Sequence, residues 1–252
     1  TLSHSSAASD VYKRQNLAIA GIAIGVVVLP QLSKHVFLKK KNKILLLQNK
    51  ALELSMFLSL PAAVALIVGS EQIISALFGY GSFDELSVSN SANALYYFGL
   101  GLPAFALIKV FSTFFFANQD TKTPFYISLF SVILNILISV YFFREIGFII
   151  IPIATTISSW FNAIILFIYL KNKDLFNFNE LFFAKLIKIL LASILMGIFF
   201  NYLILFFENK LIYEYNFKSF YLILSAFLSL IFYLSFSLFI KAFKYGDIKL
   251  KY

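Results

Sequence analysis

"LIKVFSTFFFANQDTKTPF" (residues 107–125) sets one lysine inside an almost wholly apolar run and then breaks into the polar knot "NQDTKTP". With eight residues between them, Lys109 lies roughly 12–14 Å by helical rise from Asn118. A charge at that depth in a membrane costs several kcal/mol unless it is paired or faces water. Two readings stand for it. The lysine stem can snorkel toward the interface, or the amine faces a water-filled cavity and meets an anionic group. The knot itself reads as a helix stop and restart. Asp120, Thr121 and Thr123 offer caps for the next helix, and Pro124 suits its first turn.

Composition sets the frame around this stretch. The chain has 252 residues, of which 60% are hydrophobic, 19% aromatic and only 13% charged, with a mean hydropathy of +0.86. Soluble domains hold roughly 45–50% apolar and about 25% charged residues. One soluble core of this size could not hide so much apolar surface. The reading is an all-α, polytopic transmembrane helix bundle. The formal charge of +9 comes from residues that flank apolar runs, which fits anchoring at anionic headgroups and not nucleic-acid binding. With no cysteine, thiolate chemistry, disulfides and Cys-based metal sites are excluded.

A bilayer core of ~30 Å needs about 20 apolar helical residues. Seven spans meet this: 16–33, 53–78, 91–117, 124–143, 147–170, 183–207 and 218–240. The runs are continuous and lack the period-2 alternation of a barrel. Threading them puts fifteen lysines on one side, in the loops after the first, third, fifth and seventh spans. Only Arg144, Lys210 and Lys218 fall on the other, along with Asp84, Glu85, Glu145, Glu208 and Glu214. The lysine-rich side, with the C-terminus, is expected to be cytoplasmic, so the first span enters from outside. The chain begins at Thr1 and its first methionine is Met56. "SAASDVYKRQ" (6–15) resembles translated sequencing-adapter read-through and lacks a signal peptide's apolar core. Residues 1–15 are therefore set aside as non-native, and the chain is expected to be the back part of a longer protein.

Several stretches carry further signals. In the first span Gly21 and Gly25 form a small-xxx-small pair suited to close helix contact, and Pro30 offers a kink. Pro61 sits inside the second span, where a partner must satisfy the carbonyl it frees. Glu71 reads as a solvated or paired interfacial acid, and "GYGSF" (79–83) as a turn. Asn135 and Ser139 share one helix face, while Thr155, Thr156, Ser158, Ser159 and Asn162 enrich the next helix. Small polar residues of this kind commonly bond membrane helices together.

"GIAIGVVVLPQLSKH", "LPAAVALIVGSEQIISALFGYGSF" and "YFGLGLPAFALIKVFSTFFFANQDTKTP", in this order, resemble the MurJ/MviN family of lipid II flippases. That family lies in the multidrug/oligosaccharidyl-lipid/polysaccharide exporter superfamily. The resemblance is good over residues 17–170 and consistent beyond them. It implies a fold of fourteen transmembrane helices in two lobes plus two extra helices. Residues 16–170 then stand for helices eight to twelve of the second lobe, and residues 171–252 for helices thirteen and fourteen with a cytoplasmic tail.

The function implied is to flip an undecaprenyl-pyrophosphate-linked peptidoglycan precursor across the bacterial cytoplasmic membrane by alternating access. The partners implied are the polyprenyl-pyrophosphate substrate, the bilayer and the missing N-terminal half. On this resemblance Lys109, Gln119, Asp120 and Lys122 are the substrate-side residues, with the knot at a cytoplasmic gate. Asn135, Ser139 and Thr155 fall where some members hold a monovalent cation, although an acid would stand at Ser139. Na+ or H+ coupling is left open, and no cofactor is expected. The last two spans would line a groove for the polyprenyl tail. An arginine is common where this chain has Asn118, and the family's essential arginines fall in the absent half or within residues 1–15. Alternatives within the superfamily are a flippase for another polyprenyl-linked glycan and a multidrug exporter. A membrane-embedded transferase would need a convergent acid/base or metal set, whereas the histidines are only His4 and His35 and the acids are scattered. A purely structural role in a membrane complex predicts that Lys109→Met is silent for lipid translocation.

Overall fold

A computed structural model describes residues 22–242, with side chains from Val28 onward, and every regular element among them is a helix. In chain order these are α1 (Ile22–Phe37), α2 (Lys41–Val68), α3 (Ser70–Phe78), α4 (Glu85–Ala117), α5 (Lys122–Ile146), α6 (Ile150–Asn172), α7 (Phe182–Phe206), the short α8 (Glu208–Leu211) and α9 (Lys218–Phe239). A 3-10 turn at Gly147–Ile149 joins α5 to α6. Gly147 takes φ 74°, ψ −153°, and the chain folds back there into an antiparallel hairpin. Helices α2, α4, α7, α9 and the 51-residue run Lys122–Asn172 are each long and apolar enough to cross a membrane. Because that run folds back on itself, it supplies two crossings.

The expected spans 91–117, 124–143, 147–170, 183–207 and 218–240 correspond to α4, α5, α6, α7 and α9. The second, 53–78, is two helices, since the axis breaks at Gly69. Helix α2 also starts at Lys41, well inside the stretch expected to be a lysine-rich loop. Its first turns are rich in good helix formers, and two of their polar residues are buried with partners. Gln48 donates to Leu175 O at 2.8 Å. Asn49 donates to Asn177 O and accepts from Asn179 N, both at 3.0 Å. The α6–α7 loop is thus tied to α2, and Lys185 adds an ion pair to Glu53 at 2.7 Å. Of the first span, residues 16–21, including Gly21, lie outside the described residues, as does the segment 1–15.

The main helices form a layer in the order α5, α6, α4, α2, α7, α9, with α1 packed against α2 and α4. Two glycines set the spacing on α4. A Cβ on Gly99 would sit 3.1 Å from Leu66 Cβ and 3.2 Å from Ile67 Cγ1 of α2. A Cβ on Gly101 would sit 2.9 Å from Thr156 Oγ1 and 3.4 Å from Thr156 Cα of α6. Two residues apart, the glycines point about 200° from each other around the helix, so α4 is approached closely from both sides. At the end bearing the knot, Phe111, Phe114 and Phe115 of α4 bury against Leu166 and Leu170 of α6 and against Phe176 and Phe182. Phe114 stacks on Phe176 with centroids 5.7 Å apart.

Pro61 lies buried inside α2 without ending it. Proline has no N–H to give the carbonyl four residues earlier, which here belongs to Phe57. Tyr233 of α9 donates its hydroxyl to Phe57 O at 2.7 Å, and Tyr233 is only 1% exposed. A partner helix therefore satisfies the carbonyl, as a span through lipid requires. Replacing Tyr233 by Phe should lower stability by about 1 kcal/mol, because the buried hydrogen bond from Tyr233 to Phe57 O is lost. Thermal unfolding of the detergent-solubilised protein checks this, and an unchanged midpoint would contradict it.

Candidate functional site

The knot is built on the α4–α5 connection. Asn118 ends α4 and donates its side-chain amide back to Phe114 O at 2.8 Å. Gln119 takes φ +61° and is exposed. Asp120 then caps α5: its Oδ1 accepts from Thr123 N at 3.0 Å, and its Oδ2 accepts from Thr123 Oγ1 at 2.7 Å. Thr121, the other expected cap, makes no side-chain capping bond. Asp120 Oδ2 also accepts from Lys173 Nζ at 2.7 Å, and Lys173 reaches Thr123 Oγ1 at 3.2 Å. Burial alone would raise the Asp120 carboxyl. The bonds from Lys173 and Thr123 outweigh that and bring it down to about 2.

Sequence reasoning counted Lys173 only as a loop charge. The hairpin explains its arrival, because antiparallel α5 and α6 set the start of one beside the end of the other. The structure therefore joins Asp120, Thr123 and Lys173. It leaves Gln119 and Lys122 exposed beside them, without joining them to Lys109.

Lys109 is exposed on α4. Its backbone carbonyl accepts from Thr113 Oγ1 at 2.8 Å, while its amine makes no hydrogen bond or ion pair with the described residues. At helical spacing it shares a stripe with Phe98, Phe105 and Phe116, of which Phe98 and Phe116 are also exposed. This is the face of α4 left uncovered by α2 and α6.

Beside that stripe, Phe105 and Ile108 of α4 close a cavity of about 320 Å³ against α5 and α6. Its polar wall contains Asn135, Thr155, Ser158, Ser159 and Asn162. Asn135 Nδ2 donates to Thr155 Oγ1 at 3.0 Å and to Ser158 Oγ at 3.3 Å. Thr155 and Ser158 hydroxyls in turn donate to the carbonyls of Ile151 and Thr155. The third expected cation ligand, Ser139, is outside this wall, and its Oγ is buried with no hydrogen-bond partner. Asn162 Oδ1, in the wall, is likewise buried and unpartnered. The polar groups of this wall are thus neutral hydroxyls and amides, with no carboxylate among them, and the rest of the lining is apolar. Among the described residues no three His, Cys, Asp or Glu side chains converge to hold a metal ion.

The opposite flank of the layer carries a wholly apolar groove of about 580 Å³. Met56 of α2, Leu107 and Phe111 of α4, Trp160 of α6 and Leu186 and Leu190 of α7 are among its walls. Helix α7 contributes to it and α9 does not, because α9 packs on the far side of α7 against α2, α3 and α8.

In the sequence Lys218 counts only as one of the few basic residues on the side away from the lysine-rich loops; in the structure it is 1% exposed. Its amine donates to Gly79 O and Tyr213 O, each at 2.6 Å, and lies 4.4 Å from the ring centroids of Tyr80 and Tyr213. Tyr213, five residues earlier in the chain, was the available local signal, whereas Gly79 and Tyr80 reach the cage only through the packing of α9 on α3.

A multi-pass helical membrane protein with an unpaired lysine in a span and an apolar groove on its other flank is the class that these features define. The profile of the family described as "Lipid II flippase MurJ" matches residues 7–226, and the chain belongs to that family. The match begins within residues 1–15. Over 151 residues the chain is 40% identical to a probable lipid II flippase MurJ of Rhizobium meliloti (strain 1021), covering 60% of this chain and 28% of that protein. It is 36% identical over 188 residues to the probable lipid II flippase MurJ of Rickettsia prowazekii (strain Madrid E), covering 72% of this chain and 36% of the other. A solved structure titled "Lipid II flippase MurJ, inward closed conformation" superposes with a TM-score of 0.70 at 22% identity, over 91% of this chain and 45% of that one. The chain thus spans about a third of the length of these curated relatives.

The Asp120 geometry generates a pH dependence. Its carboxyl titrates lower in the folded chain than the ordinary 3.8, so the knot's contribution to stability is complete above about pH 4 and is lost as pH falls toward 2. Asp120→Asn should flatten that acid limb and remove the Lys173 pair. Unfolding midpoints of wild type and variant between pH 2 and 6 measure it; parallel curves would contradict the assignment.

Proposed function

We propose that this chain is the second-lobe and C-terminal part of a transporter that moves lipid II from the inner to the outer leaflet of the bacterial cytoplasmic membrane. The observation that carries this reading is Lys109, an amine in a membrane span with no partner among the described residues, on the uncovered face of α4. Moving a pyrophosphate and sugars through hydrocarbon bare is prohibitive. A basic, hydrated cavity that opens alternately to each side removes that barrier. Lys109 supplies positive potential to such a cavity. The knot at the end of α4 supplies its gate, with Asp120 held by Lys173 and with Gln119 and Lys122 exposed toward the headgroup's approach. The apolar groove on the other flank is the surface of this chain suited to a polyprenyl tail.

The lysine-rich end is cytoplasmic on this reading, and the C-terminus with it. The residues that would hold a coupling monovalent cation are Asn135 and Thr155, which touch, and Asn162 with its unpartnered oxygen; Ser139 stands apart. The remaining helices of the cavity come from the absent N-terminal half.

Expression of the full-length protein in bacteria depleted of their own lipid II flippase tests the function, with growth and outer-leaflet lipid II as readouts. Rescue is expected from wild type. Lys109→Met, at equal membrane abundance, is expected to lower exposed lipid II at least tenfold. Full activity of Lys109→Met would overturn the role of that amine, and good insertion of the wild type without rescue would overturn the substrate.

A further inference from the structure

Two prolines stand buried inside long spans, and the bundle treats them differently. Pro61 of α2 frees Phe57 O, and Tyr233 of α9 closes that carbonyl at 2.7 Å. Pro103 of α4 likewise has no N–H to give Gly99 O. Among the described residues no side chain donates to Gly99 O; the two that reach this part of α4 go to other carbonyls. Gly99, Gly101 and Pro103 thus place two glycines and an uncapped proline within little more than one turn. Glycine and proline are the usual seats of a helix bend, so α4 yields most easily here.

Helix α6 holds this turn. Thr156 Oγ1 donates to Tyr97 O at 2.6 Å, and Trp160 Nε1 donates to Leu100 O at 3.1 Å. The donors are four apart on α6 and the acceptors three apart on α4, so each pair shares one helix face. Both bonds land on the turn just ahead of Pro103.

The two donors differ in what else touches them. Trp160 is 37% exposed, and with Pro103 and Leu107 it lines the apolar groove of about 580 Å³. Thr156 is outside that wall. An alkyl chain in the groove therefore meets both the pyrrolidine of Pro103 and the indole whose N–H reaches Leu100 O. Lys109 lies six residues beyond Pro103, roughly 9 Å along α4, on the face that α2 and α6 leave uncovered. A change of bend at Pro103 re-aims that face.

We infer that Trp160 is a positioning residue that couples the occupant of the apolar groove to the direction in which α4 presents Lys109. The inference rests on the proposed reading of the groove as the surface for a polyprenyl tail and of Lys109 as the amine of the cavity. The hinge at Pro103 is the element that both regions bias, which is what coupling between separated sites requires. Arrival of the tail on one flank is thereby communicated to the headgroup's side on the other.

The test uses the cysteine-free full-length protein carrying Lys109→Cys in phosphatidylcholine nanodiscs. The probe is an uncharged polyprenol bearing a benzophenone, so that it can fill the groove without engaging the amine's side. Photocrosslinking to the groove segments of α4, α6 and α7 reads occupancy, and the rate of labelling by a membrane-impermeant maleimide reads the Lys109 face. The polyprenol is expected to crosslink and to change the labelling rate at least threefold. Trp160→Phe, which keeps a ring in the wall and removes the N–H, should crosslink as well as wild type and lose that change. Thr156→Val removes the bond that the groove does not reach and should keep it. Crosslinking without a change in labelling, or an equal change in Trp160→Phe, would overturn the inference alone. Absence of crosslinking would overturn the tail assignment, and absence of labelling in every state would overturn the cavity assignment, each taking the inference with it.

Discussion

Helix α4 can be flanked closely by α2 and α6 only because Gly99 and Gly101 stand where side chains would push them away. In lipid there is little hydrophobic drive between helices, so close backbone approach and dispersion must hold them together. The consequences spread outward from that contact. With α6 drawn in, Thr156 reaches Tyr97 O at 2.6 Å and Trp160 Nε1 reaches Leu100 O at 3.1 Å. With α2 drawn in, its lower turns can bury Gln48 and Asn49 against the α6–α7 loop. The stripe of α4 that neither neighbour covers is the one that carries Lys109.

Several polar groups inside the spans are satisfied by a neighbouring helix or by their own, as Phe57 O is by Tyr233 and as Ser131 and Ser193 are by their preceding turns, whereas Ser139 Oγ and Asn162 Oδ1 are not. Charges at the knot end are paired where they are partly sheltered, as in Asp120–Lys173 and Glu53–Lys185. Lys109 obeys neither pattern. An amine that the described residues leave unpaired within a span needs water or an anion, and this sets it apart from the structural polar residues around it.

Much of this was legible in the sequence. The continuous apolar runs identified the crossings, because a span through lipid must be long and uninterrupted. Pro61 pointed to a carbonyl that needed a donor, though not to Tyr233 as its source. The knot was readable as a stop and restart with Asp120 as cap. What composition could not convey was pairing across the fold. Lys173 and Lys218 look like any loop lysines until the hairpin register brings one to Asp120 and the packing of α9 on α3 brings Gly79 and Tyr80 to the other. The start of α2 was misjudged for a related reason: Lys41–Lys50 is polar enough for a loop, yet Gln48 and Asn49 are buried by partners more than 120 residues away. Ser139 shares a helix face with Asn135 but lies outside the polar cavity, a distinction that periodicity alone does not make.

The central claim is that the Lys109 face of α4 lines a water-filled path, and thiol labelling tests it most directly. The chain has no cysteine of its own, so single cysteines can be placed in a cysteine-free full-length background and exposed to a membrane-impermeant maleimide, which needs water to generate the reactive thiolate. Lys109→Cys should label readily. Ile198→Cys, on an exposed apolar face of α7, should stay unlabelled until the membrane is dissolved. If both positions resist labelling in intact membranes and both react in detergent, Lys109 faces hydrocarbon and the account is wrong.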